Sequence, residues 1–399
     1  GGEKMKDRII LHCDLNNFFA SVSLLFNPTL KDFPVAVCGS KEERHGIVLA
    51  KNELAKSFGV KTAEPIFEAM AKCPDLITLP PMMDKYKEYS VACREIFKRY
   101  TDLIEPFGID ESWLDVTGST LLFGDGETIA NRIRTDIKRE LGITASVGVS
   151  FNKIFAKLGS DMKKPDAVTV ISRENFKEKV WPLPVSDLLF VGKSSAKRLR
   201  DSGIFTIGDI AACSDTMLHR LLGKNGDDIR RYALGEDCSP VCRMDADYKP
   251  KSIGRSITRG KDFCSEEEIW QLFLELSTEI SDNLRKYSLM AGSVQIHLRD
   301  TLLATREISR PLKFPTNSAM LIAKKGMEIF RENNISLPLH SAGIRAINLK
   351  ADDSYIQQDL FGEIEKDEKQ EKIETSVYEV RKKFGMDSIK SGTVIKSEE

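Results

Sequence analysis

A multidomain α+β protein is what this sequence predicts, and three observations carry that prediction. The chain has 399 residues, more than a single domain of roughly 100–200 residues accommodates. Its first half alternates short apolar runs of strand length with stretches whose apolar residues recur at helical spacing. Its last third reads strand, helix, strand, strand, helix, strand.

In chain order, the run Ile9-Ile10-Leu11-His12-Cys13 predicts a strand ending at Asp14, and a helix follows from Asn16 or Asn17, both tolerable N-caps. Pro28 and Pro34 punctuate the next stretch. Val35–Cys38 and Gly46–Ala50 predict two short strands, and Asn52–Phe58 a helix closed by Gly59. From Met83 to Tyr100, residues Tyr86, Tyr89, Ala92, Cys93, Ile96 and Phe97 fall at helical spacing. Ile104–Val116 reads as a hairpin with Asp110-Glu111 near its turn. Ile129–Leu141 is a helix, Thr144–Val149 a strand, and another helix starts near Asn152. Pro182 and Pro184 mark a boundary, beyond which the chain is helical with Gly turns to about Asp237. Strands follow at Ser252–Thr258, Ser293–Arg299, Thr305–Pro311 and Ala342–Leu349, with helices at Glu266–Lys286 and Thr316–Asn333.

Net charge does not advertise a partner: 59 Lys and Arg face 60 Asp and Glu, for a formal charge of −1. The distribution is informative. Lys249, Lys251, Arg255, Arg259 and Lys261 occupy a stretch without an acid, whereas acids dominate from Asp352 to Glu374. No apolar stretch approaches the roughly 18–20 residues of a membrane-spanning helix, and the N-terminus carries no signal-peptide core. Gly1-Gly2 ahead of Met5 reads as an artificial addition. The eight cysteines include no CxxC pair, and Cys238 and Cys242 lack a neighbouring His. Reduced thiols in a cytoplasmic protein are the better reading than a zinc site.

The acidic positions carry the chemistry. Asp14 ends a buried strand, where a carboxylate cannot stay ionised without a partner or a metal. Asp110 and Glu111 are adjacent and repel unless a cation neutralises them. Carboxylates converging from distant strands suit hard Mg²⁺ ions. Two such ions about 3.5–4 Å apart activate an attacking oxygen and stabilise a leaving phosphate. Taken singly, Asp14 reads equally well as a helix cap, and Asp110-Glu111 as a solvated turn.

The segments Asp14-Leu15-Asn16-Asn17-Phe18-Phe19-Ala20 and Gly108-Ile109-Asp110-Glu111-Ser112 resemble the two catalytic motifs of Y-family translesion DNA polymerases, closest to the bacterial DNA polymerase IV and UmuC-like branch. The resemblance continues through Ser150–Leu158 and into the last third, in the family's order. It implies a right-hand polymerase: a palm with a carboxylate-bearing sheet (1–30 and 80–180), small fingers (31–79), a helical thumb (181–245), a four-stranded α/β little finger (246–351) and a C-terminal tail (352–399).

By that resemblance Asp14, Asp110 and Glu111 are the catalytic metal ligands, joined by the backbone carbonyl of Leu15. They hold two Mg²⁺ ions, for which Mn²⁺ can substitute. Asn16 stands where relatives often carry an Asp that is not a ligand. Phe18 and Phe19 lie beside the nucleotide, and Phe19 is the steric gate that occupies the space of a ribose 2′-hydroxyl; the plain alternative is two core phenylalanines. Lys157 matches the triphosphate-binding lysine. Lys153, one helical turn earlier, faces DNA or solvent. Lys56 falls where relatives carry an arginine, and Glu53 where they carry a tyrosine. A carboxylate there opposes polyphosphate unless it turns away or pairs with Lys56.

Val191-Gly192-Lys193 resembles a helix-hairpin-helix turn that grips a DNA phosphate, although Phe190 replaces the usual first glycine; a plain helical turn is the alternative. Lys251, Arg255 and Arg259, at i, i+4 and i+8, share one face of an extended segment and can follow a phosphate backbone. Arg299, Arg306, Arg310, Lys313 and Arg345 extend the track. Edge-protecting charges would look alike. Gln357, Leu360 and Phe361 resemble the peptide that docks on the bacterial sliding clamp. Glu363 to Phe384 predicts a charged helix with Ile373, Val377, Val380 and Phe384 along one side. The expected partners are primer-template DNA, dNTP and the clamp, with no membrane, in a monomer of the cytoplasm and nucleoid. A nucleotide cyclase with a palm-like sheet and a DNA-binding accessory factor with a degenerate palm are the competing readings.

Overall fold

The computed structural model describes residues 7–39, 46–244, 249–352, 363–385 and 388–389, with side chains of the last helix described from Ile373 onward. Two compact units divide the chain near residue 246.

The first unit opens with β1 (Ile10–Leu15), α1 (Phe18–Leu25), β2 (Val35–Cys38), β3 (Val48–Lys51), α2 (Glu53–Ser57), α3 (Ile66–Lys72) and β4 (Ile77–Leu79). It continues through α4 (Met83–Phe97), β5 (Ile104–Pro106), β6 (Glu111–Asp115), α5 (Thr120–Phe123), α6 (Gly126–Leu141), β7 (Ala145–Ser150), α7 (Lys153–Met162) and β8 (Val168–Val170). It closes with α8 (Phe176–Val180), α9 (Lys193–Asp201), α10 (Ile207–Ala212), α11 (Asp215–Leu222) and α12 (Lys224–Ala233). The predicted elements appear within a few residues of their expected bounds. The short α3, β4 and β8 lack enough periodicity to show in sequence.

The larger sheet runs β5-β6-β1-β7-β8, and a smaller one runs β3-β2-β4. Alternation along β1 decides what each face does. Leu11, Cys13 and Leu15 join the core built with α4 and α6, which includes Tyr86, Ile96, Ile129 and Ile133. Ile10, His12 and Asp14 point to the other face, where α7 packs. A Cβ on Gly148 would lie 1.9 Å from the Ala156 carbonyl oxygen, so only glycine lets α7 rest this closely on β7. Asn152 starts α7 by accepting a hydrogen bond from the Phe155 amide at 2.8 Å, and it also donates to the Gly235 carbonyl at 3.2 Å. In the smaller sheet, Asn52 caps α2 and binds the strand edge through the Val35 amide at 3.0 Å.

The second unit contains β9 (Ile253–Phe263), α13 (Glu266–Lys286), β10 (Leu289–Asp300), β11 (Thr305–Thr316), α14 (Ala319–Glu332), β12 (Leu339–Ile347), β13 (Lys350–Ala351) and α15 (Glu363–Phe384). Its sheet runs β11-β10-β12-β9, with β13 paired to β10. The strands exceed their predicted lengths because their polar ends still complete backbone ladders. Helices α13 and α14 bury Phe273, Ile280, Ile322 and Phe330 against Val294, Ile296, Leu298 and Ile344. Ser265 caps α13 in a reciprocal box with Glu268.

Helix α15 has the predicted bounds and finds a berth that periodicity does not reveal. Glu374 accepts hydrogen bonds at the N-terminus of α14 from Ser318 Oγ (2.9 Å), the Ala319 amide (2.7 Å) and the Met320 amide (3.3 Å), and pairs with buried Arg285 at 3.4 Å. A carboxylate there complements the helix dipole. Ile373 and Val377 line the adjoining cavity of about 250 Å³ with Leu274 and Met320, although Ile373, like Phe384, is more than half exposed.

Candidate active site

Antiparallel pairing of β1 with β6 sets Asp14 directly across from Glu111. Asp110 precedes β6, and its carbonyl accepts a hydrogen bond from the Leu15 amide at 3.0 Å. A register slip by one residue would send these side chains into the opposite core.

Two lysines answer the carboxylates. Lys157 Nζ lies 2.8 Å from Glu111 Oε1, 3.6 Å from Asp14 Oδ2 and 3.0 Å from Asp161 Oδ2. Lys164 Nζ lies 2.7 Å from Asp14 Oδ2 and 3.0 Å from Asp161 Oδ1. Burial opposes the charge on both lysines, yet the surrounding carboxylates outweigh it and raise their pKa values. Burial, with the Asp14 carboxylate alongside, pushes Glu111 up to about 7 against the pull of Lys157. Burial and Asp14 also raise Asp110. Such an elevated proton affinity marks a crowded acidic centre that a cation relieves.

His12, fully buried beneath the cluster, places Nδ1 2.8 Å from Ser160 Oγ and Nε2 3.7 Å from Glu111 Oε2. Burial and then the charges of Lys157 and Lys164 lower its pKa, so the imidazole is neutral. Asn16 is structural. Its amide donates to Ser146 Oγ at 2.9 Å, and its carbonyl oxygen accepts from Thr144 Oγ1 at 3.0 Å and the Asp166 amide at 2.9 Å.

Phe18 is buried against Tyr86, while half-buried Phe19 stacks face to face on the same ring, with centroids 4.1 Å apart. The turn into α1 places Asn17 at φ +47°, a conformation Asn tolerates. Asn17 then donates to Glu53 Oε1 at 2.8 Å, and Glu53 Oε2 lies 3.7 Å from Lys56. Glu53 is thus partnered on both oxygens. Lys153 does not face solvent: it is buried, pairs with Glu105 at 2.6 Å and lies 4.5 Å above the Trp113 ring. Helical spacing put it near Lys157, but the Trp113 indole decides its environment.

Phe190 adopts φ +70°, preserving in a phenylalanine the backbone turn that glycine favours. Exposed Gly192 caps α9, with nothing within 4 Å of an added Cβ, and Lys193 is exposed beside it. Only a 3₁₀ turn at Val185–Asp187 precedes this bend.

Lys251 lies just before β9. Arg255 and Arg259 share the side of β9 that carries Ile253 and Ile257, so they lean toward the helices. Arg255 pairs with Glu279 of α13 at 2.9 Å, and Arg259 lies 4.9 Å above Phe263. Arg310 likewise approaches Glu332 at 4.0 Å. The polar side of the sheet presents Ser256, Gln295, Arg299 and Arg345 instead. The predicted basic row therefore sits at the sheet edge, with Arg299 and Arg345 on the polar face. Gln357, Leu360 and Phe361 lie outside the described residues. No helix among the described residues is long and apolar enough to cross a membrane.

The oxygen donors fit a hard divalent cation. Among the described residues, no three acidic, His or Cys side chains converge in a metal-holding arrangement. The ammonium groups of Lys157 and Lys164 lie 2.7–3.6 Å from the Asp14 and Glu111 carboxylates and counter their charge.

Strand-end carboxylates thus share a lysine delivered from the helix behind, which gathers acidic and cationic groups into one centre. The family described as impB/mucB/samB matches residues 13–161, and its C-terminal domain matches residues 250–360. DNA polymerase IV of Acetivibrio thermocellus is 49% identical over 389 residues, 97% of this chain and 98% of that protein. DNA polymerase IV 1 of Bacillus subtilis is 37% identical over 395 residues, 99% of this chain and 95% of that protein. A solved Y-family DNA polymerase chimera matches with a TM-score of 0.77 and 25% identity, over 86% of this chain and 99% of that one. The chain belongs to the impB/mucB/samB family of Y-family DNA polymerases, with the right-hand fold and little finger of that class. Divalent-metal dependence belongs to that family.

Proposed function

We propose that this DNA-directed DNA polymerase carries out translesion synthesis by two-metal-ion nucleotidyl transfer from dNTP to a primer 3′-hydroxyl. The observation that carries the reading is Asp14 opposite Glu111 with Lys157 reaching both. Asp14, Asp110 and Glu111, with the Leu15 carbonyl, would hold two Mg²⁺ ions. When bound, these ions supply activation of the hydroxyl and neutralisation of the leaving pyrophosphate.

The protein's own groups do the rest. Lys157, once its carboxylate partners are engaged, is free to bind the triphosphate, and Lys56 reaches the same phosphates from α2. Phe19, held flat on Tyr86, presents a rigid wall to the sugar and excludes a 2′-hydroxyl by clash. Gly192 and Lys193 grip a DNA phosphate at the start of α9. Lys251, Arg255 and Arg259, together with Arg299 and Arg345, contact the backbone without reading bases, which suits damaged templates. Gln357, Leu360 and Phe361 dock on the bacterial sliding clamp, and the protein works as a monomer on the nucleoid.

Primer extension with Mg²⁺ on undamaged and lesion-bearing templates tests this. Asp14→Ala and Glu111→Ala should each lower extension by at least about a thousandfold while DNA affinity stays near wild type, and Phe19→Ala should admit ribonucleotides. A wild-type protein that binds DNA but adds no nucleotide would leave the accessory-factor reading in its place.

A further inference from the structure

His12 lies two residues before Asp14 on the same face of β1. Its Nε2 makes no hydrogen bond among the described residues, although the side chain is fully shielded from solvent. A buried polar atom without a partner is costly, and one that persists calls for a use.

The surroundings hold the ring in place. Pairing of β1 sets His12 across from Trp113 on one side and Gly148 on the other. Over Gly148, α7 comes close enough to bring Ser160 onto the ring. Gly159 keeps that approach open, since a Cβ there would lie 3.1 Å from the Gly148 Cα. The Trp113 ring meets the imidazole at 64°, with centroids 5.3 Å apart. Nδ1 is thereby fixed 2.8 Å from Ser160 Oγ, and Nε2 3.7 Å from Glu111 Oε2.

Proton counting allows two arrangements. Ser160 Oγ has one hydrogen and two acceptors within reach, the Lys157 carbonyl at 2.7 Å and His12 Nδ1. If the hydroxyl donates to the carbonyl, Nδ1 carries the ring proton and Nε2 points a lone pair at Glu111. If the hydroxyl donates to Nδ1, the ring proton sits on Nε2 and is aimed at Glu111 Oε2. The second arrangement turns the orphaned atom into a donor. Glu111 is placed to use it, because Lys157 lies 2.8 Å from its other oxygen, Oε1.

We propose that His12 is a positioning residue for Glu111: with a divalent ion held at the site, Nε2–H donates to Oε2 and fixes the carboxylate so that Oε1 is the oxygen offered to the cation. Hydrogen bonds from groups that do not touch the ion orient metal ligands in this way. The inference deepens the two-metal reading and rests on it.

The test uses the full chain. Nitrogen-15 NMR of protein labelled at its five histidines and saturated with Mg²⁺ should show His12 protonated at Nε2. A ring protonated at Nδ1 alone overturns the proposal. Two substitutions separate positioning from packing, because Asn offers its amide near the place of Nδ1 and Gln near that of Nε2. His12→Asn keeps a partner for Ser160. It should weaken Mn²⁺ binding about tenfold, read by electron paramagnetic resonance on the DNA-free protein. The kcat of primer extension should fall with it, while KM for dNTP stays within about twofold. His12→Gln should hold Mn²⁺ affinity and kcat within about threefold of wild type. The reverse order, or equal effects of the two substitutions, overturns the proposal and leaves His12 as a packing residue beside Ser160. Should either variant fail to fold, the ring spectrum of the wild type decides alone. Failure of the wild-type protein to bind Mn²⁺ would instead overturn the underlying two-metal reading.

Discussion

The two sheet units of this protein treat charge in opposite ways. In the first, His12, Asp14, Asn16 and Lys153 are buried, and each has a polar or charged neighbour at close range. In the second, the cations on and beside the sheet are largely solvated, as with the exposed Arg255–Glu279 pair. The difference matches the roles proposed for the two surfaces. A centre that binds small hard cations and moves phosphate gains from low dielectric, because every interaction there is stronger. A surface that tracks a nucleic-acid backbone must release and regain contacts, so it keeps its charges screened.

The contrast breaks most sharply at Lys153. Removing it as Lys153→Met strands Glu105, whose other oxygen accepts from the Cys242 amide at 2.8 Å, and should cost about 2–3 kcal/mol, reduced from the full buried-pair value because Glu105 is partly solvated. Urea denaturation followed by fluorescence checks this. A cost near zero would mean that the pair is no more than a surface bridge.

A smaller effect belongs to Glu374, a strongly built charge site of the second unit. Glu374→Ala should destabilise that unit by about 1–2 kcal/mol by uncapping α14 and unpairing Arg285. Hydrogen exchange at the Ala319 and Met320 amides should rise with it. Unaltered protection there would show that α15 is not held by this carboxylate.

The smallest effect on stability is expected at Arg255. Arg255→Ala should change unfolding free energy by less than about 1 kcal/mol, yet weaken DNA binding uniformly across sequences and lower the salt slope by about 1. An unchanged salt slope would assign Arg255 to Glu279 alone and leave the backbone track to Arg299 and Arg345.

Much of this was legible before any coordinates. The strand into Asp14, the hairpin bearing Asp110-Glu111, and the strand-helix order of the last third follow from periodicity, whose physical basis is that a strand or helix must turn its apolar side inward. The carboxylates announced themselves because an acid at the end of an apolar run demands compensation. The resemblance added Lys157 and Phe19, which pattern alone leaves as an ordinary helical lysine and a core aromatic. Glu53 was an open question in sequence and has a simple answer in space, in Asn17 and Lys56. Lys153 was misdirected by spacing, since helical position names a face and not its neighbours.

By itself, then, the amino-acid order determined which segments become strands and helices and which acids require a counter-charge. Only the tertiary structure decided what supplies it. Lys164 reaches Asp14 across 150 positions and His12 meets Ser160 across 148, and Glu374 caps a helix that begins 55 residues earlier. Local chemistry sets the faces of each element, but distant faces are matched by the way whole elements pack, and Gly148, by letting α7 lie flush on the sheet, is where that packing becomes a site.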